Sequence, residues 1–433
     1  MNFIMKRVID FVAKYPVLIT ALVCVVFYFL PFKPKPFGDG EYHEGTIQLI
    51  QYILNGFQGT VRIDKGLFTL FYYLVPYSLG YVFHNDTLFY LLGVAYNSII
   101  TCWAIQYIFA SFDLMSFPTR TKFWTIIVLN LFPIHVYYAM GILAESAAFL
   151  GVSLFIYAWL KIIANSNAVK YYLMLSFSLV IVSGTRPNLL PFLVLFTLYF
   201  LTIKSEWKNK VIFISSLGLM LLFLALVEKK INNTDGAFKK DIFRRHLLWS
   251  RYELRDNPFN WLPQDGQKEF ATSDYLHNLA KRDELDSICR VNHFDKTDYY
   301  IKWVTNDIIQ NPGLTLRQYS LKFFQSQTFV ISPIMKYNKS NFVKWSIHIY
   351  INAINYLLIF FSIAAIVVMN KQKKYQLMMP FLLFWGWSLV YVFIFHSEQR
   401  YMFPVRPVMV FLFGYYLNYY FNGNTSSKNS QVE

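Results

Sequence analysis

The chain has 433 residues, of which 55% are hydrophobic and 20% aromatic, and its formal net charge is +15. Repeated long apolar runs exclude a water-soluble globular protein and indicate a polytopic membrane protein, because roughly 17–25 apolar residues cross about 30 Å of hydrocarbon as a helix. The positive charge lies in loops and forms no basic stripe typical of nucleic-acid binding, and three dispersed cysteines (Cys24, Cys102 and Cys289) offer no disulfide framework.

In chain order, ten apolar segments are predicted to cross the membrane as helices. They lie near residues 15–32, 88–111, 123–142, 146–163, 170–183, 188–203, 211–227, 345–369, 376–395 and 402–421. The fifth and sixth are short, but their combined length is too great for one crossing, so we predict a hairpin that turns at residues 184–187. The first span is expected to be retained as an anchor rather than cleaved.

Lysine and arginine residues occupy alternate short connections, which predicts the cytoplasmic side and places both termini there. If the apolar segment 66–83 also crossed the membrane, the charge bias of all later connections would be reversed. We therefore interpret it, together with residues 46–57, as amphipathic or partly buried helices at the outer membrane surface.

The chain is predicted to have four parts: a transmembrane module (1–228) whose first outer loop is 33–87, an outer loop domain (229–343), C-terminal transmembrane helices (344–421) and a disordered tail (422–433). In the outer domain, residues 298–310 and 314–324 have helical spacing. Asn311-Pro312-Gly313 between them is a stop and turn signal.

Eight ionisable residues are predicted to lie on the outer side, at four distant places in the chain: Asp39, Glu41, Glu44, Glu145, Arg186, His396, Glu398 and Arg400. Charged groups near lipid are costly if unpaired, so they usually mark a pathway, a site or a partner. Plainer interpretations exist for each. Residues 39–44 and 396–400 fit solvated loops, Arg186-Pro187 fits a turn at the headgroups, and Glu145 fits a structural salt bridge to Arg186.

Four short motifs carry these groups: Asp39-Gly40-Glu41, Tyr138-Ala139-Met140-Gly141-Ile142-Leu143-Ala144-Glu145-Ser146, Gly184-Thr185-Arg186-Pro187-Asn188 and Glu398-Gln399-Arg400-Tyr401. Their order and common sidedness resemble the GT-C superfamily of glycosyltransferases, in particular the protein O-mannosyltransferase and aminoarabinose-transferase group and bacterial proteins similar to GPI mannosyltransferase 2. The resemblance covers most of the membrane portion. It implies an all-α, GT-C-like bundle of about ten transmembrane helices with one large outer loop domain, in a bacterial cell (inner) membrane.

The resemblance further implies inverting transfer of a mannose-like or other sugar from a polyprenyl-phosphate donor to a lipid, glycan or protein acceptor on the periplasmic or extracellular face. Asp39 is then the first candidate for the base that deprotonates the acceptor hydroxyl, and Glu41 is the next. Glu145 would orient the acceptor or a metal, while Glu44 and Glu398 are further acidic candidates.

For the lipid phosphate, the resemblance implies Arg186 and Arg400, because a guanidinium offers a planar fork to phosphate oxygens, and His396 as an assisting donor. No metal or other cofactor is expected to be obligatory, although an acidic pair can bind Mg²⁺ or Mn²⁺.

Two other functions stay open. An O-antigen or polysaccharide polymerase or ligase would depend on arginines and a histidine in the late outer loops, with less reason for carboxylates at 39–41 and 145. A lipid-linked sugar carrier would place charges or broken helices at the bilayer midplane and often repeat one half, and the sequence shows no internal repeat.

Overall fold

The computed structural model describes residues 3–30, 34, 40–61, 67–164, 167–232, 273–294, 296–328, 340–394 and 402–429. All regular secondary structure in these residues is helical, which confirms the predicted all-α class. The chain forms two compact units. The first contains Met1–Asp235, Tyr356–Trp385 and Phe403–Glu433, and the second contains Gly236–Asn355 and Gly386–Met402.

In the N-terminal part of the first unit, the described residues form eleven α-helices. They are α1 (Phe3–Lys14), α2 (Pro16–Phe29), α3 (Gly40–Leu54), α4 (Leu67–Val82), α5 (Asp86–Leu114), α6 (Thr119–Leu131), α7 (Ile134–Ala139), α8 (Glu145–Ile163), α9 (Val169–Thr185), α10 (Leu190–Thr202) and α11 (Trp207–Asn232). Later in the chain, α15 (Asn341–Lys371) and α16 (Tyr375–Ile394) contribute to both units, and α17 (Arg406–Asn429) belongs to the first.

Helix α8 lies at the centre of the first unit, between α5 and α9. Large side chains along it, among them Phe149, Phe155 and Trp159, are fully buried. Gly151 lets α9 approach closely, since a Cβ at this position would lie 2.9 Å from methyl carbons of both Ile181 and Val182. The central helix is therefore fixed by side-chain packing on several sides.

Helices α9 and α10 form the hairpin predicted at residues 184–187. Helix α9 ends at Thr185, a 3-10 turn covers Pro187–Leu189, and α10 begins at Leu190. Pro187 lacks an N–H group and disfavours helical geometry in the residue before it, so the chain turns at Arg186. The prediction of a hairpin is confirmed.

Four described helices are long and apolar enough to cross a membrane: Asp86–Leu114, Glu145–Ile163, Trp207–Ile231 and Trp345–Lys371. Helices α1 and α2 would supply a fifth if they formed one span, although they meet at an angle of 85°. The apolar helices Leu67–Val82, Val169–Thr185 and Pro187–Thr202 are shorter. These features support a helical membrane protein. The described helices provide fewer candidate spans than the ten crossings predicted from the sequence.

Two differences from the predicted spans have a proline as their physical cause. The segment 123–142 is not one helix, because α6 stops at Leu131 before Pro133 and α7 starts afresh at Ile134. The first span was predicted near 15–32, but Pro16 separates α2 from a preceding helix that the sequence analysis did not predict. The segment predicted as partly buried near 66–83 is helix α4, and half of its residues are buried.

In the second unit, α12 (Ser273–Val291), α13 (Lys296–Gln310) and α14 (Pro312–Gln327) follow one another. The last two match the helical segments predicted at 298–310 and 314–324. Asn311 separates them, and its side-chain amide donates to Asp307 Oδ1 at 2.9 Å. Leu285, Cys289 and Val304 form a small apolar core. At the other end of the chain, α17 continues to Asn429, although the sequence predicted a disordered tail from Asn422.

We expect Gly151→Ala to destabilise the first unit by about 1–3 kcal/mol, because the added methyl overpacks the contact between α8 and α9. Gly218→Ala is the matched control, since a Cβ at Gly218 in α11 meets no atom within 4 Å. Thermal unfolding of the detergent-purified variants measures the difference. Equal transition temperatures for the two variants would contradict the packing described for α8.

Candidate active site at the start of helix α8

Glu145 is the first residue of α8, and its side chain is completely buried. The helix follows a short non-helical segment, residues 140–144, that connects it to α7. A carboxylate is favourable in this place, because the N-terminus of a helix carries partial positive charge. The charge therefore lies at a defined point inside an apolar helical bundle.

Arg186, at the turn between α9 and α10, is the ion-pair partner of Glu145. Its Nη2 donates to Glu145 Oε1, and the arginine is only 5% exposed. Burying either charge alone would cost several kcal/mol, so each side chain makes the burial of the other possible. The salt bridge that the sequence left open as an interpretation is confirmed. The second carboxylate oxygen, Oε2, has no hydrogen-bond partner among the described residues.

Residues 140–144 are held in place by a buried hydrogen-bond network. The Tyr73 hydroxyl donates to Leu143 O at 2.6 Å and lies 2.8 Å from Leu143 N. The Asn97 amide donates to Gly141 O at 2.8 Å and to the Tyr73 hydroxyl at 3.0 Å, while Tyr72 donates to Asn97 Oδ1 at 2.7 Å. The network satisfies backbone groups that would otherwise be buried without partners, and it fixes the residues directly before Glu145.

Helix α4 touches the chain close to both members of the ion pair. Through Tyr73 it binds Leu143, two residues before Glu145. Through Phe68 it packs on Gly184, two residues before Arg186, where a Cβ would lie 2.8 Å from the Phe68 Cβ. Helix α4 comes from the region predicted as the first outer loop, so this loop helps to position the pair.

Helix α3 carries Glu41, which is half-buried, and Glu44, which is exposed. Between them, His43 Nδ1 lies 3.1 Å from the Tyr77 hydroxyl, and its Nε2 lies 4.0 Å from Asp86 Oδ1. Burial lowers the pKa of His43 below its usual value, although Asp86 and Glu44 oppose this effect. These contacts connect α3 to α4 and α5.

Of the eight predicted site residues, the structure thus describes Glu41, Glu44, Glu145 and Arg186. It brings Glu145 and Arg186 into direct contact and places the two others on α3, which packs against α4. The remaining four, Asp39, His396, Glu398 and Arg400, lie outside the described residues.

Two buried polar residues near α8 were missed by the sequence analysis. His135 in α7 is 1% exposed, stacks on Phe149 at 5.9 Å between ring centroids, and has no hydrogen-bond partner for either ring nitrogen in the described part of the chain. Arg406, the first residue of α17, is also buried and lies over the Phe132 ring at 5.2 Å.

The ring of Phe403, three residues before Arg406, packs on Tyr138 at 4.6 Å and on Phe149, the partner of His135, at 5.6 Å. Both His135 and Arg406 lie inside predicted spans rather than in connections. An ionisable residue within an apolar run is itself a sign of function, and this signal could have identified them.

Among the residues that the structure describes, no three His, Cys, Asp or Glu side chains are grouped so that they could hold a metal ion. In sequence comparisons, no protein-family model and no characterised protein matches the chain.

We expect Glu145→Gln to destabilise the protein by about 3–5 kcal/mol, because it leaves the Arg186 charge buried without its counter-charge. The double variant Glu145→Leu/Arg186→Leu should be more stable than Glu145→Gln, since neither charge remains. Asp113→Asn is the control, because Asp113 forms an exposed pair with Lys122 and such pairs contribute about 0–1 kcal/mol. Thermal unfolding of all three checks the order, and a double variant less stable than Glu145→Gln would contradict it.

We expect His135→Leu to raise the transition temperature of the ligand-free protein, because a buried polar group without a partner costs about 1–3 kcal/mol. Asn97→Leu should lower it, because the amide of Asn97 is fully engaged with Tyr73 and Gly141. Thermal unfolding of both variants under the same conditions measures the two transition temperatures. If His135→Leu were as destabilising as Asn97→Leu, the imidazole would have a structural role instead.

Proposed function

We propose that the chain is an integral membrane glycosyltransferase of the GT-C type, which transfers a sugar from a polyprenyl-phosphate donor to a lipid, glycan or protein acceptor. The observation that carries the proposal is the completely buried Glu145, which pairs with Arg186 at the start of a central helix and whose Oε2 has no hydrogen-bond partner among the described residues. A charge in this position is costly, and a substrate hydroxyl that binds it explains why it is present.

The reaction we propose is a direct displacement at the anomeric carbon. The acceptor hydroxyl gives its proton to a carboxylate while its oxygen forms a bond to that carbon. The bond from the carbon to the donor phosphate oxygen breaks, and the polyprenyl phosphate leaves with the electron pair. Inversion follows, because the two oxygens lie on opposite sides of the carbon.

Two carboxylates have different roles in this proposal. The base is Asp39, with Glu41 as the second candidate, because the acidic motif resembles that of the superfamily. Glu145 is already engaged in an ion pair with Arg186. Its open oxygen suits it to accept a hydrogen bond from the acceptor and to orient it.

Cationic groups would bind the phosphate of the donor. Arg400 and Arg186 are the candidates from the motifs, and His396 would assist. Arg186 donates one Nη to Glu145, which places its guanidinium beside the carboxylate proposed to orient the acceptor. Arg406 is a third candidate, because its guanidinium is buried near α8 among aromatic rings.

We further propose that the site faces the periplasm or exterior of a bacterial cell membrane, in a bundle of about ten spans. The shorter apolar helices α9 and α10 support a larger number of membrane segments than the four long helices alone. The alternation of basic loops supports the orientation.

The test is sugar transfer by the purified protein in detergent, from a panel of radiolabelled polyprenyl-phosphate monosaccharides to total envelope lipids and proteins. We expect Asp39→Asn to lower the rate by about 10²–10⁴-fold, which is the usual contribution of a general base. Arg186→Lys should also lower it, because lysine lacks the planar fork. Asp113→Asn, in the exposed pair with Lys122, should retain the rate.

Transfer that survives in Asp39→Asn but is lost in Glu41→Gln would move the base to Glu41. An absence of transfer from every donor, with all proteins folded by their thermal transitions, would contradict the glycosyltransferase and favour a polymerase, a ligase or a carrier.

A further inference from the structure

Helix α1 presents three different faces around its circumference. One face packs against α2 and α6 and contains the most buried residues of the helix, which are Ile9, Val12 and Ala13. A second face is apolar but exposed and contains Ile4, Val8 and Phe11, each 49% exposed or more. The third face carries the charges of Lys6, Arg7, Asp10 and Lys14. At 100° per residue, each face covers about a third of the helix.

The angle between α1 and α2 determines how these faces are directed. The two helices meet at 85°, because Pro16 disfavours helical geometry at Tyr15 and α1 ends at Lys14. If α2 runs along the membrane normal, as its uninterrupted apolar sequence indicates, α1 lies in the membrane plane. An in-plane helix then has one side against the protein, one towards the hydrocarbon and one towards the headgroups, which are the three environments that its faces require.

The exposed apolar face and the charged face meet at a shallow groove. Phe3, Ile4, Arg7, Val8 and Phe11 line this groove. The Arg7 guanidinium lies over the Phe3 ring at 4.2 Å, so its aliphatic stem covers apolar surface while the charge stays at the rim. Such apolar side chains suit contact with acyl chains, and the cation at the rim suits contact with a headgroup phosphate.

From this arrangement we propose that α1 is a membrane-surface helix that binds anionic phospholipids of the leaflet next to the N-terminus. Charge complementarity selects the partner: three cations and one carboxylate lie beside an apolar stripe, so the helix carries a net positive charge towards the headgroups. This inference is independent of the proposed sugar transfer.

The orientation is tested by spin labelling of the full-length protein in lipid nanodiscs. Single cysteines replace residues 4, 7, 8, 10, 11 and 14 in turn, in a parent in which the three native cysteines are replaced by serine. We expect high collision rates with oxygen at 4, 8 and 11 and with a water-soluble nickel complex at 7, 10 and 14, because oxygen concentrates in hydrocarbon.

A steady depth gradient from residue 4 to residue 14 would mean that α1 crosses the membrane, and uniform exposure to nickel would mean that it lies in water. Either result overturns the proposal.

The lipid is tested with native cysteines in place, so this arm does not depend on the folding of the serine parent. Thermal unfolding is compared in nanodiscs of phosphatidylcholine alone and with one quarter phosphatidylglycerol. We expect the anionic lipid to raise the transition temperature of the wild type, and the rise to fall by more than half in Arg7→Gln/Lys14→Gln. Asp10→Asn should increase the rise, because it removes the one carboxylate of the helix.

The matched control is Lys204→Gln/Lys208→Gln, which removes two exposed lysines, one shortly before α11 and one in its first turn. It should keep the wild-type response to phosphatidylglycerol. An equal loss in both double variants would show that only the total charge of the protein matters, and no response in the wild type would show that α1 does not bind anionic lipid; both outcomes overturn the proposal.

Discussion

The first unit depends on the cost of placing charge inside an apolar bundle. Glu145 and Arg186 come from different helices and meet in the interior, where neither would be stable alone. Their pairing requires that α8 begins and α9 ends at matching depth. Pro187 sets where α9 ends, and the close approach at Gly151 sets how near the two helices lie. The position of one ion pair thus determines how three consecutive helices are arranged.

A second constraint is the broken backbone directly before α8. Non-helical backbone is tolerated deep in a membrane protein only where other protein groups satisfy its polar atoms. Tyr73 and Asn97 supply those hydrogen bonds to residues 141–143. Because Tyr73 is in α4 and Asn97 in α5, the segment that leads to Glu145 ties together parts of the chain that are far apart in sequence. A displacement of α4 would therefore move residues close to both Glu145 and Arg186, because Tyr73 binds Leu143 and Phe68 packs on Gly184.

Local signals allowed some of this arrangement to be predicted. The hairpin at residues 184–187 and the break at Asn311 follow from glycine and proline, which act on their own neighbours. The contact between Glu145 and Arg186 was foreseen as one interpretation, since two opposite charges bordered apolar runs. The 85° bend after α1 and the burial of His135 and Arg406 were not foreseen. Hydropathy averages over many residues, so it does not separate a lipid-facing histidine from one buried among aromatic rings, and it joins helices that a single proline separates.

The ion pair also has a consequence for how the protein enters the membrane during synthesis. When α8 leaves the ribosome, its carboxylate has no counter-charge, because Arg186 follows only after the whole of α9. Release of α8 into lipid by itself would expose that charge to hydrocarbon. The two helices are therefore best released from the insertion channel together, as a neutral antiparallel pair. The order of translation and the separation of 41 residues between the charges mean that the ion pair forms only after both α8 and α9 have been synthesised.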